Sequence, residues 1–202
     1  MQIRKERKLK KLALLSLAAV ALGVAACGGD DSDRAAGEQA TVASAESPFD
    51  RAFIDAMVPH HEAAIEMARE AKEAGLAAPE LVEIADNIIA TQQAEIEQML
   101  EWREQWFGSK ERESEAAALE ALGLTAAEAG MEHDAAALEG AHDVDQAFAG
   151  MMIGHHTGAI RMAELAEEKA DHDELKTLAG DIITAQQREI DILQQYFKGA
   201  HG

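Results

Sequence analysis

Phe53-Ile54-Asp55-Ala56-Met57-Val58-Pro59-His60-His61, followed by Ile65, Met67 and Ala68, is the stretch on which the fold turns. It returns as Phe148-Ala149-Gly150-Met151-Met152-Ile153-Gly154-His155-His156, followed by Ile160, Met162 and Ala163, each matched residue 95 positions further on. The apolar residues recur at three- and four-residue steps, the period of a helix with one buried face. A segment met twice, each time with twinned histidines among methionines, predicts a duplicated helical unit.

Working outward, residues 48–74 form one predicted helix, opened by Ser47-Pro48 as N-cap and first helical residue and closed by Gly75. Pro79 stands near the start of a second, about 80–107, ended by Gly108. The second copy repeats this pair at about 143–170 and 173–198. Leu178 to Ile190 mirrors Ile84 to Ile96 at an offset of 94, so one residue is lost in the hairpin loop, where length changes are tolerated. Val144 stands where the first copy has Phe49. The segment 108–142 is a crossover. It contains a helical run Ala116–Leu122, then Gly123, then Thr125 heading a further helical stretch with Glu128 at the capping-box position. Alanine, glutamate, leucine and glutamine dominate, and strand and hairpin signals are missing. The chain reads as all-α, with two repeats (about 48–107 and 143–198) closing into a four-helix bundle over 48–198.

The chain opens with Arg4, Lys5, Arg7, Lys8, Lys10 and Lys11, then an apolar run from Leu12 to Ala26. That run is shorter than the roughly 20 residues needed to span a bilayer, and it reads as a secretory signal peptide over 1–26. Val24-Ala25-Ala26-Cys27-Gly28 resembles a bacterial lipobox, with valine where leucine is usual, so Cys27 is the expected lipidation site. It is the only cysteine, which excludes an intramolecular disulfide. Residues 27–47 read as a disordered, solvated tether. The expected location is the cell envelope, outside the cytoplasm, with the membrane touched through the lipid alone.

Removing the leader takes away six Lys/Arg and Glu6, leaving 12 basic against 37 acidic residues, a charge of −25. Such a balance argues against nucleic acid as a partner and draws cations into the surrounding atmosphere. A protein partner is not indicated.

At about 100° per residue, Asp50, Phe53, Ile54, Met57, His60, His61, Ala64, Ile65, Met67 and Ala68 fall within an arc of roughly 160°, opposite Asp55, Glu62, Glu66 and Arg69. Imidazole and thioether are ligands for copper and, less selectively, other transition metals. Buried histidines are costly unless their ring nitrogens find partners. Met57, His60, His61 and Met67, with Met152, His155, His156 and Met162 at matching places, favour a metal over histidines satisfied by carboxylates or carbonyls in the core, although a methionine stripe alone more often fills a core. Pro59 and Gly154 weaken both helices one residue before the histidines, where a kink would re-aim the rings. If Pro59 instead began a helix, the wheel would lose phase there. On the partner helices Gln92 and Glu95, and again Gln186 and Glu189, interrupt apolar stripes at equivalent places. They read as outer groups that orient the histidines, or as boundary positions reaching water.

These residues resemble the DUF305 family. The pattern is Phe-Asp-x-x-Phe-Ile-x-x-Met-Val-Pro-His-His-x-x-Ala-Ile-x-Met-Ala at 49–68, its echo at 148–163, and Gln-Gln-x-Glu-Ile at 92–96 and 186–190. The resemblance covers roughly 48–198. It implies a ferritin-like four-helix fold, export from bacteria and, since some members are associated with copper binding and resistance, the same eight histidines and methionines as copper ligands.

Three functions follow as alternatives. The first is a lipid-anchored protein that sequesters or hands over Cu(I), with Cu(II) as a further form, by ligand exchange and without catalysis. The second is a structural or interaction module with a polar histidine core, or a proton switch near the histidine pKa. The third is a di-iron oxidase, which needs four carboxylates and paired Glu-x-x-His motifs. Only Glu139-Gly140-Ala141-His142 has that spacing, and it occurs once. His133, His142, His172 and His201 lie outside the repeat and read as surface residues, with Met131 and His133 as a peripheral ligand pair at most.

Overall fold

A computed structural model describes residues 47–198 apart from His133. The expected signal peptide, Cys27, nearly all of the expected tether and His201 lie outside the described residues. Within them the elements are α1 (Pro48–Ala74), α2 (Pro79–Phe107), α3 (Glu115–Leu122), a 3-10 turn (Ala135–Leu138), α4 (Val144–Lys169) and α5 (Asp173–Lys198). No described helix is long and apolar enough to cross a membrane.

The ends of these helices follow local chemistry. Pro48 and Pro79 occupy first helical positions, where no N–H is needed. Asp143 caps α4 by accepting from Gln146 N at 3.0 Å. Gly75 closes α1 at φ 104°, which an L side chain resists, and Leu76 N returns to Ala71 O at 2.9 Å. Ser47 holds the expected N-cap position of α1, but its side chain makes no cap bond. α1 runs unbroken through Pro59, so the wheel keeps its phase across the histidines.

Packing is heaviest inside each hairpin, α1 on α2 and α4 on α5, and then between α1 and α4. α2 and α5 barely meet, so the bundle is built about the α1–α4 contact. One apolar cluster joins Phe53, Ile54, Met57, Ile96 and Met99 to Met162, Ala166, Leu175 and Ile182. The other joins Met67, Leu81, Ile84 and Ile88 to Phe148, Met152 and Leu193. The start of α1 thus shares a core with the end of α4, and the reverse. The two helices run antiparallel, related by an approximate twofold.

That symmetry appears in two crossed clamps. Asp50, buried on α1, accepts from Asp171 N and His172 N at 3.0 Å each, in the α4–α5 loop. Asp145, its counterpart on α4, accepts from Ala77 N at 2.8 Å and Ala78 N at 3.0 Å, in the α1–α2 loop. Each hairpin fastens the other's turn.

Two expectations fail. Asp55, assigned to the solvent arc, is 1% exposed. The arc of α1 that carries it faces the crossover, because α3 packs on α1. Its carboxylate takes Arg103 Nε at 2.5 Å and Nη2 at 3.1 Å, and Glu113 N at 3.1 Å. The stretch after Thr125 is not a helix. The capping box forms, with Glu128 N on Thr125 Oγ1 at 3.2 Å and Thr125 N on Glu128 Oε2 at 3.0 Å. One turn later the chain bends at Gly130, φ 68°, because it meets α4. A Cβ on Gly130 would lie 2.7 Å from Gly154 O, and one on Gly158 would lie 2.0 Å from Ala129 O. Glycine at these places lets the crossover press onto α4.

Candidate metal centre

All eight predicted ligands are buried. Met57, His60, His61, Met152, His156 and Met162 are fully enclosed, and Met67 and His155 are 2% and 1% exposed. The layer they form lies between the two apolar clusters. Met57 and Met162 belong to one cluster, Met67 and Met152 to the other. The two repeats are therefore interleaved at this layer. His60 of α1 and His155 of α4 meet with ring centroids 3.7 Å apart and planes tilted by 37°. Within each pair the rings are 6.3 Å apart, tilted by 60° in the first and 57° in the second.

The outer histidines are held alike. His61 Nε2 lies 2.7 Å from Glu95 Oε2, and His156 Nε2 lies 2.6 Å from Glu189 Oε2. A carboxylate can only accept, so Nε2 donates in each pair, and in a neutral ring the lone pair then lies on Nδ1. Both Nδ1 atoms are buried without a hydrogen-bond partner. Leaving such an atom unsatisfied costs about 1–3 kcal/mol. A metal-bound histidine usually donates its other N–H to a carboxylate in this way, which fixes the tautomer and raises basicity. His60 Nε2 donates to Ala129 O at 3.0 Å, since a carbonyl oxygen only accepts. Gln92 and Gln186 are buried, and their Oε1 atoms have no hydrogen-bond partner.

Among the described residues no three His, Cys, Asp or Glu side chains come together as an ion site. An ion held in this layer would therefore need thioether donors besides these rings. A mixed imidazole–thioether set fits a soft ion of low coordination number, Cu(I) in particular. Hard oxygen-seeking ions find no such set of carboxylates.

Comparison with known proteins follows the geometry. The family model described as "Domain of unknown function (DUF305)" matches residues 28–102 and 50–197. The chain belongs to the DUF305 family. No curated protein matches it. Among solved structures it is similar to CopM in the Cu(I)-bound form, at 32% identity over 76% of this chain and 98% of that one, with a TM-score of 0.62. CopM in the Cu(II)-bound form also matches, at 32% identity over 74% and 96%, TM-score 0.61. A DUF305 protein of Streptomyces coelicolor matches at 25% identity over 72% and 89%, TM-score 0.63.

Some residues of this DUF305 chain were misjudged from sequence. His172 is not a surface residue. Its Nδ1 lies 2.6 Å from Asp50 Oδ2, and its ring stacks on Trp106 at 3.7 Å and 8°. The signal was Asp50 itself, matched by Asp145 at the repeat spacing. Met131 is half-buried against the core rather than peripheral. Glu139 and His142 are exposed.

Proposed function

We propose that this chain binds copper, as Cu(I) with Cu(II) as a further form, in the layer where α1 crosses α4, and sequesters or transfers it without catalysing a reaction. The observation that carries the reading is the 3.7 Å approach of His60 to His155, with Met57 and Met152 about one helical turn before these rings and Met67 and Met162 about two turns after them. His61 and His156, each backed by a glutamate, add two buried ring nitrogens without a hydrogen-bond partner. The likeness to CopM with Cu(I) or Cu(II) bound supports the choice of metal. Chelator-competition titration of the whole chain, read by native mass spectrometry under reducing and oxidising conditions, is the test. Stoichiometric Cu(I) uptake at submicromolar affinity or tighter is expected. Indifference to copper would favour the histidine-core module instead. Tight iron binding with oxygen consumption would favour an oxidase.

The protein works, in this reading, at the outer face of a membrane, held there by a lipid on Cys27. The sequence reading of the leader is the support. Mass spectrometry of the mature N-terminus should find an acylated cysteine, and Cys27→Ser should release the chain into the soluble fraction.

A further inference from the structure

The two faces of the histidine layer are not equally closed. On the His60 side, the turn after Thr125 is wedged in. Ala129 O sits 3.0 Å from His60 Nε2 and only 2.0 Å from where a Cβ on Gly158 would be. Arg161 Nη1 reaches Glu128 Oε1 of the same turn at 3.7 Å. On the His155 side the repeat puts Ala63 in place of Gly158, Glu66 in place of Arg161 and Glu70 in place of Leu165. There a pocket of about 250 Å³ remains, lined among others by His155, Met67, Met131, Glu66, Glu70 and Asp134.

Its chemistry changes with depth. The inner wall has a buried imidazole and a buried thioether, His155 and Met67. Met131, half-buried, supplies a second thioether from the crossover. Glu66, Glu70 and Asp134 add three carboxylates, and among the described residues no lysine or arginine lines it. Glu70 Oε2 is buried without a hydrogen-bond partner. Burial, then the neighbouring charges of Glu66, Glu139, Glu73 and Asp134, holds the Glu70 carboxyl above the usual carboxylate range. Crowded carboxylates of this kind gain from a cation, and field lines focused in a cleft raise its arrival rate.

We propose that this pocket is a port of the copper site: the acidic rim draws in a soft monovalent cation, and Met131 passes it to Met67 and His155. The inference rests on the copper-binding reading and adds to it a direction of entry and an outer ligand.

The test is stopped-flow uptake of Cu(I) by the full chain from a chromogenic chelator, with Ag(I) as a redox-inert probe. Met131→Leu should slow uptake on the order of tenfold while leaving final capacity unchanged. Glu66→Gln/Glu70→Gln/Asp134→Asn should slow it by roughly tenfold at low salt, with the deficit vanishing at high salt. Removing three charges from exposed positions of α2 (Glu83, Glu97 and Glu101) should not. Ala63→Phe, which fills the pocket, should slow uptake further. Uptake at the parent rate in all the pocket variants would overturn the port and leave the copper site standing. An unaltered chain that takes up neither ion would overturn the copper reading and the port with it.

Discussion

The two repeats differ sharply near the ends of α2 and α5. In the first, Asp55 and Arg103 form an enclosed ion pair, and Arg103 also reaches Ser109 O at 2.6 Å. At the matching places the second repeat has Gly150 and Phe197. Phe197 is 48% exposed, and a Cβ on Gly150 would fall 2.9 Å from its ring. Around the histidines the two halves share the His–Glu bonds and the ring separations, and at the hairpin loops they share the crossed aspartate clamps. Duplication followed by divergence has rewritten the outer contacts and left the imidazole layer intact. A layer that served packing alone would tolerate the apolar substitutions that the outer contacts have accepted.

The largest effect should come from breaking the element that only one half possesses. Arg103→Leu strands a buried carboxylate and should lower the free energy of urea unfolding by about 3–5 kcal/mol. Phe197→Ala, at the equivalent site, should cost less than half of that because the ring is half in water. Equal losses would mean that the two ends of the bundle are not energetically distinct.

A smaller effect should separate Gly158 from Ala63, which occupy matched positions. Gly158→Ala drives a methyl into Ala129 O and should destabilise by roughly 1–3 kcal/mol, as overpacking does. Ala63→Gly changes a pocket wall and should cost no more than about 1 kcal/mol of helix propensity. Thermal melts of the two variants decide this. A well-tolerated Gly158→Ala would mean that the crossover turn is not wedged against α4.

The third comparison tests likeness rather than difference. Glu95→Gln and Glu189→Gln should each weaken Cu(I) affinity by about 10–100-fold and by similar factors, since each glutamate fixes one outer histidine. Unequal losses would show that the ion favours one half.

The bundle was legible in the sequence because both repeats keep helical periodicity and end at residues with a stereochemical reason to end them. Gly75, Gly108, Pro48 and Pro79 set boundaries that agree with the structure to within a residue or two. The eight buried ligand candidates were legible for the same reason, and Glu95 and Glu189 were singled out as groups that orient histidines. The crossover was not legible. Asp55 sits on the polar arc of α1, and nothing local says that α3 and the 109–113 segment will cover it. The capping box at Thr125 is real, yet tertiary contact at Gly130 and Gly158 ends the helix after one turn. Nor could one sequence say whether the two clusters meet. That depends on α1 and α4 running antiparallel in contact, which brings His60 onto His155 and exchanges the methionine neighbours.

The account stands or falls on whether His60 and His155 serve one site. Cu(I) affinity of His60→Ala, His155→Ala and the double variant, measured against a common chelator, tests this most directly. A shared site predicts that either single change abolishes the tightest binding and that the second adds little, a strongly non-additive cycle. Two independent losses that sum in the double variant, each removing half the capacity, would contradict it.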